Sequence, residues 1–94
     1  MNDYDKHLYR ILALAGHKGL QTKKLALHVF NATNSLFESA DFDEVYKYVQ
    51  LFVRRNSSNK KRIIVHAARH GCYRLNMRSP YTREILDALN PSAE

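Results

Sequence analysis

Acidic residues are missing from the middle of this chain. Between Val45 and Arg83 the sequence has no Asp or Glu, although the formal net charge is +6. Charge that is sorted along a chain in this way attracts polyanions, and nucleic acid is the commonest of these. A solvated basic face without a partner is the alternative interpretation, since charge sign alone defines neither fold nor ligand. The basic residues of this stretch are Lys47, Arg54, Arg55, Lys60, Lys61, Arg62, Arg69, Arg74, Arg78 and Arg83.

Cysteine and long apolar runs are also scarce. Cys72 is the single cysteine, so no internal disulfide can form and we expect a reducing compartment. The longest apolar runs, such as Ile11 to Ala15, are too short to cross a bilayer. The first residues lack the basic and apolar regions of a signal peptide. We therefore expect a cytoplasmic protein with no membrane partner.

Length and composition fit one domain over residues 1–94. A hydrophobic content of 45% supports a packed core and argues against disorder.

Enzymatic features are missing as well: the chain has no glycine-rich phosphate loop, no paired carboxylates in a plausible cleft and no Ser or Cys nucleophile with an identifiable base. We expect a protein that is not an enzyme and needs no cofactor. His66, His70 and Cys72 lack a fourth ligand and paired spacing, so no metal site is expected.

Apolar periodicity predicts two helices in the first third of the chain. The first is expected from Asp5 to Ala15, with Asp3 or Asp5 as its cap, because its apolar residues recur at intervals of three and four. A short extended link, Leu20–Gln21, follows. Thr22 would then cap the second helix.

A third helix is predicted over residues 42–55, with Asp41 as its cap. At 100° per residue, two groups of side chains separate onto different arcs. One arc faces the core and consists of Phe42, Val45, Tyr46, Val49, Phe52 and Val53. The other is free for a partner and consists of Asp43, Lys47, Gln50 and Arg54.

The C-terminal half predicts a basic β-hairpin over residues 60–76 and a last helix over residues 79–90, capped by Ser79. The predicted fold class is therefore α+β, mainly α. Three helices followed by a hairpin is the element order of a winged helix-turn-helix, with the core at 5–76. An all-α bundle is the structural alternative.

Several stretches resemble the winged-helix effector domain of OmpR-type response regulators. Arg10–Gly19 is similar to that family's first helix and its His-x-Gly turn, and Thr22–Ala26 to the start of its second helix. Val45–Arg55 resembles the recognition helix, in which a Val-rich stripe leads into a basic end. Ala68–Leu75 resembles the wing. The likeness spans Leu8–Asn76, without a receiver domain, and implies the fold and a DNA-binding mode rather than a phosphorelay.

The resemblance implies that helix 42–55 enters the major groove and that the hairpin lies along the backbone or minor groove. Lys47, Gln50 and Arg54 would then face the bases or flanking phosphates, since Gln pairs with adenine and Arg with guanine. Asp43 and Glu44 stabilise the start of this helix but would repel a phosphate there. The remaining candidates would hold phosphates or, for the last, enter the minor groove: Arg55, Lys60, Lys61, Arg62, Lys23, Lys24 and Arg69.

Two alternatives concern partners. The protein is expected to be a small transcriptional regulator or accessory DNA-binding factor, but the same fold also serves as a protein–protein interaction module without DNA binding. Exposed apolar residues would form that contact: Leu27, Tyr48 and Leu51. The apolar stripe of the last helix either closes the domain's own core or forms a homodimer. Its members are Ile85, Leu86 and Leu89.

Overall fold

The structure, a computed structural model, describes residues 2–33 and 41–89. Within these ranges the chain is an α+β fold, mainly helical, with four α-helices and one three-stranded antiparallel sheet. The helices are α1 (Asp3–Ala15), α2 (Thr22–Thr33), α3 (Phe42–Ser58) and α4 (Pro80–Leu89). The strands are β1 (Leu20–Gln21), β2 (Ile64–His66) and β3 (Cys72–Leu75), in the spatial order β1-β3-β2.

Helix α1 begins two residues earlier than its periodicity predicts. Asn2 caps it, because the Asp5 backbone N–H donates to Asn2 Oδ1 at 2.8 Å. The prediction that Asp3 or Asp5 is the cap was therefore wrong. The helix buries Leu8 and Leu12 on its core side.

Strand β1 connects the first two helices to the hairpin. The extended link at Leu20–Gln21 is confirmed, and it pairs with β3 so that Leu20 lies opposite Tyr73. Gly19 makes this pairing possible, because it adopts a φ of +68° and a Cβ there would overlap the carbonyl oxygen of Tyr73. Thr22, predicted as a cap, is instead the first residue of α2.

Helix α3 has the predicted start but a later end. The Asp43 backbone N–H donates to Asp41 Oδ1 at 3.0 Å, which confirms the Asp41 cap. The predicted end at residue 55 was wrong, since the helix continues to Ser58. Asn56 Nδ2 donates to the carbonyl of Phe52 at 2.9 Å, and the Ser58 hydroxyl donates to that of Arg54 at 2.7 Å. The predicted core arc lies inward: Val45, Val49, Phe52 and Val53 are buried, and Phe42 and Tyr46 partly so.

The predicted hairpin is confirmed, with strands that occupy only part of residues 60–76. In β2 and β3, Ile64 pairs with Leu75 and His66 with Tyr73. The last helix is also confirmed: Pro80 is its first residue, directly after Ser79, and the predicted end at Asn90 lies outside the described residues. The Ser79 hydroxyl donates to the carbonyl of Lys61 at 2.7 Å, so it ties α4 to the loop before β2.

The core lies between α1, α2, α3 and the sheet, and α4 covers one side of it. The apolar stripe of α4 is partly buried and packs against this core, as expected if α4 closes the domain rather than leaving the stripe free. The stripe consists of Ile85, Leu86 and Leu89. The homodimer through these three residues stays a prediction.

None of the helices in residues 2–33 and 41–89 has the length and apolarity needed to cross a membrane.

Candidate nucleic-acid interface

The exposed face of α3 carries the residues that the sequence assigns to base contact. Lys47, Gln50 and Arg54 are all exposed. Residues three and four apart share one side of a helix, so these three form a single row about 10 Å long. This side is turned away from the core residues Val49 and Phe52, which are buried.

Gln50 and Arg54 open into a groove of about 330 Å³ that lies between α3, the start of α2 and β3. Thr22 and Tyr73 form its other side. The groove forms because the pairing of Leu20 with Tyr73 brings the first turn of α2 next to β3. The residues that line the groove include no Asp or Glu.

The first turn of α2 adds two cations beside this groove. Lys23 and Lys24 directly follow Thr22 and are both exposed. Backbone N–H groups in the first turn of a helix carry a partial positive charge, which adds to the attraction that the two ammonium groups exert on an anion. The two predicted lysines therefore lie in the helical turn that borders the groove through Thr22.

The turn of the hairpin extends the same surface. A second groove of about 370 Å³ is lined by His66, Arg69, His70 and Tyr73, among others, and again has no acidic residue in its lining. Tyr73 belongs to both grooves, and its ring centroid lies 4.8 Å from that of His66 on the neighbouring strand. The two grooves thus share Tyr73 as a lining residue, and we call their combined lining, with Lys23, Lys24 and Lys47, the α3–hairpin surface.

The shape of the turn explains why Arg69 and His70 are exposed. The Cys72 backbone N–H donates to the carbonyl of Arg69 at 3.1 Å, which closes a four-residue turn. Gly71, its third residue, adopts a φ of +80°, the conformation that a type II turn requires and that glycine accepts without strain. The side chains of the first two residues of the turn consequently point into solvent.

Arg55 lies on the other side of α3, near α1. Burial raises the pKa of both Tyr9 and Tyr48, and the positive charge of Arg55 lowers the pKa of each. Burial is the main cause that raises the pKa of Tyr9 to about 12, and the carboxylate of Asp5 raises it further. The predicted phosphate contact of Arg55 is therefore separated from the row that contains Arg54.

Lys60, Lys61 and Arg62 precede β2 and so lie at the end of the hairpin opposite its turn. The Lys61 ammonium stacks over the ring of Tyr81, 5.0 Å from its centroid. Asn76 Nδ2 donates to the carbonyl of Arg62 at 2.9 Å and fixes the backbone, although Arg62 itself has a positive φ of 42°. These three residues are exposed cations, but they form a separate group from the α3–hairpin surface.

The acidic residues of α3 lie at its other end. Asp43 and Glu44 occupy the first turn and are exposed. Asp43 precedes Gln50 by two helical turns, a separation of about 10 Å. The positive part of the exposed face is therefore its C-terminal two-thirds.

Of the residues that line this groove, Thr22 and Tyr73, which come from outside α3, were not among those that the sequence assigned to the site. No local pattern identifies them, because they meet Gln50 and Arg54 only through the β1–β3 pairing. His66 and Cys72 occupy adjacent positions in the ladder, on opposite faces of the sheet, since His66 pairs with Tyr73. Among the residues the structure describes, no group of three His, Cys, Asp or Glu side chains is arranged to hold a metal ion.

The apolar residues proposed for a protein contact behave differently from one another. Leu27 and Leu51 are 49% and 57% exposed. Tyr48 is partly buried, packs against the core and bonds through its hydroxyl to Asp5 at 2.6 Å. It is therefore a structural residue of the α1–α3 contact, and of these three residues Leu27 and Leu51 remain as candidates for a protein contact.

Comparison with known proteins gives no family for this chain. No family model matches it, and neither a curated protein nor a solved structure does so.

Proposed function

We propose that the protein is a winged-helix domain that binds double-stranded DNA, as a small transcriptional regulator or accessory DNA-binding factor. The element order supports the fold: three helices precede a β-hairpin, and an additional helix follows it. The charge supports the partner, since the basic residues of the central stretch have no acid among them in sequence. A cytoplasmic location is part of the proposal and rests on the single, unpaired Cys72.

The observation that carries the proposal is the groove that Gln50 and Arg54 share with Thr22 and Tyr73. A DNA-reading surface needs side chains for base edges next to cations that hold the backbone on either side. Here the exposed start of α2 and strand β3 of the hairpin both lie across the groove from Gln50 and Arg54. Scattered surface cations would give a similar net charge without this arrangement.

The proposed mechanism assigns each part of the surface a role. Helix α3 enters the major groove, where Gln50 pairs with adenine and Arg54 with guanine, and Lys47 contacts a base or a flanking phosphate. Lys23 and Lys24 bind the phosphate backbone. Arg69, at the hairpin turn, reaches the minor groove.

The cations before β2 have a secondary role in this proposal. Lys60, Lys61 and Arg62 lie at the far end of the hairpin, so they contact phosphates outside the segment that α3 reads. Arg55 adds to the long-range field, which speeds association but carries no sequence information. Removal of any of these charges should therefore weaken binding to all sequences alike.

The proposal is tested by comparing one base-reading residue with one phosphate-binding residue. A duplex is first selected from a random pool by binding to the protein, and its affinity is compared with that of a scrambled duplex. Arg54→Ala should reduce affinity for the selected duplex by about 1–3 kcal/mol and reduce its advantage over the scrambled one. Lys23→Ala should weaken both duplexes equally. Arg83→Ala, on α4 and exposed, is the matched control for loss of one positive charge.

A second candidate function rests on the exposure of Leu27 and Leu51. Leucines that are about half exposed on a small domain fit an apolar contact with another protein. Leu27→Ser and Leu51→Ser together would abolish such a contact and leave DNA binding nearly unchanged. Loss of a copurifying protein partner in this double variant, with no DNA binding in the wild type, would favour this function.

A further inference from the structure

A cavity of about 250 Å³ lies on a side of the molecule that the proposed DNA contact does not use, between the end of α1, β3 and α4. Most of its wall is apolar, and its lining contains two basic side chains and no acid. The apolar lining comes mainly from Leu12, Leu75, Met77 and Leu86. The basic side chains are Arg74 and His17.

The wall combines rigid and adaptable parts. Leu12 and Leu75 are buried core residues, so the floor of the cavity is fixed by the packing of the domain. Met77 is 63% exposed although it lines the cavity, and an unbranched thioether side chain adjusts easily to the shape of an occupant. Such a site admits a small molecule without rearrangement of the core.

Arg74 is the polar anchor in this cavity. It is partly buried on β3, where it lies opposite Val65. Its side-chain hydrogen bond within the described residues is a long one of 3.4 Å to the neighbouring carbonyl of Leu75. A guanidinium has five N–H donors, so Arg74 has further donors beyond this bond, and it lines both this cavity and a neighbouring groove beside Val65 and Arg78. A carboxylate matches this group because it accepts two parallel hydrogen bonds from it.

We propose that this cavity binds a small carboxylic acid with an aromatic or branched aliphatic body. The carboxylate lies on Arg74, with His17 nearby, and the apolar body packs against Leu12, Leu75 and Leu86. The volume is just below the range of drug-sized pockets, which limits the ligand to on the order of ten non-hydrogen atoms. Cations are disfavoured by the two basic groups, and inorganic anions gain nothing from the apolar wall.

The proposal does not depend on DNA binding, and it is tested without DNA. Benzoate is titrated into the full chain labelled with ¹⁵N, and the backbone and Arg side-chain resonances are followed. Benzyl alcohol, which keeps the ring and lacks the charge, and acetate, which keeps the charge and lacks the ring, are the matched comparison ligands. We expect saturable shifts at Gly16, Arg74 and Met77 with benzoate, and at least about tenfold weaker binding of both comparison ligands.

Two variants test the position of the ligand. Arg74→Gln should weaken benzoate binding by about tenfold or more, whereas the neighbouring exposed Arg78→Gln should leave it unchanged. Ala13→Leu, at another lining residue, should block the cavity by adding side-chain volume. The amide spectrum of each variant establishes whether the fold is intact.

Three results would overturn the proposal. The first is no saturable binding of benzoate, and the second is equal binding of benzoate and benzyl alcohol. The third is unchanged benzoate affinity in a folded Arg74→Gln variant. If this variant does not fold, the comparison between benzoate and benzyl alcohol on the wild-type chain still decides whether a carboxylate is recognised.

Discussion

The Tyr48 hydroxyl on α3 donates a hydrogen bond of 2.6 Å to the carboxylate of Asp5 on α1. The same hydroxyl accepts a bond of 2.8 Å from the side-chain amide of Asn2, the residue that caps α1. The ring of Tyr4 packs against Tyr48, with the centroids 5.2 Å apart. The start of α1 is thus fixed to the side of α3 that faces away from the groove.

Replacement Tyr48→Phe should destabilise the domain and leave DNA binding unchanged. The change removes a hydrogen bond to a charged group and keeps the ring, so we expect a loss of about 1.5–3 kcal/mol in the free energy of unfolding. Urea denaturation measures this loss. Leu51→Ala, one turn away and exposed, is the control and should cost much less. Unchanged stability of Tyr48→Phe would show that the bond to Asp5 contributes nothing.

Alkaline pH should destabilise the protein. Burial, followed by the carboxylate of Asp5, raises the pKa of Tyr9 from 10.0 to about 12, and burial also raises the pKa of Tyr48. Between pH 10.0 and about 12, Tyr9 releases its proton in the unfolded chain but keeps it in the native protein. The balance therefore shifts towards the unfolded state as the pH rises through this range. Stability from this source is complete below pH 10 and is lost as the pH rises towards about 12.

The measurement is the free energy of unfolding over a series of alkaline pH values, with tyrosinate absorbance recorded in parallel. Tyr9→Phe removes the group with the large shift and should flatten the decline. A decline equally steep in Tyr9→Phe would assign the effect to other groups.

The exposed face of α3 is predictable from sequence because a helix that packs on one side has a period of 3.6 residues. The C-terminal end of α3 is not predictable from this periodicity. Asn56, Ser57 and Ser58 are residues typical of turns, yet here they continue the helix, and the side chain of each donates a hydrogen bond to a carbonyl about one turn back. Whether such residues bond backwards or start a turn depends on the tertiary contacts that follow.

The residues that line the groove are less predictable from sequence than the exposed face of α3, which forms one of its sides. Periodicity identifies Gln50 and Arg54, but Thr22 and Tyr73 join them only because a two-residue strand pairs with β3. That pairing depends on the space left by the missing side chain of Gly19. For Tyr48 the sequence predicts an exposed side chain, because the residue lies off the core arc of α3. In the structure its hydroxyl donates a hydrogen bond to Asp5 on α1, and the side chain is partly buried.

Replacement Arg62→Asn should increase stability while it weakens DNA binding. Arg62 adopts a φ of +42°, which costs most residues about 1 kcal/mol but is tolerated by Asn. Arg62→Gln removes the same charge without that tolerance and is the matched control. Both variants should reduce the slope of log affinity against log salt by about 1, but only Asn should raise the denaturation midpoint. Equal midpoints for the two variants would contradict the backbone argument.

Replacement Thr82→Val should also stabilise the domain. Thr82 is 1% exposed, and its hydroxyl has no hydrogen-bond partner among the described residues. Valine keeps the shape and removes the cost of the unpaired hydroxyl, so we expect a gain of about 1 kcal/mol in thermal or urea denaturation. Thr82→Ser keeps the hydroxyl and should give no gain. Destabilisation by valine would mean that the hydroxyl has a partner after all.

The most direct test of DNA binding is fluorescence anisotropy of a labelled random duplex titrated with the protein at several salt concentrations. We predict dissociation constants in the micromolar range and a steep loss of affinity with salt, because several phosphates are neutralised and their counterions released. Absence of binding even at low salt would contradict the account and would mean that the basic stretch serves another partner.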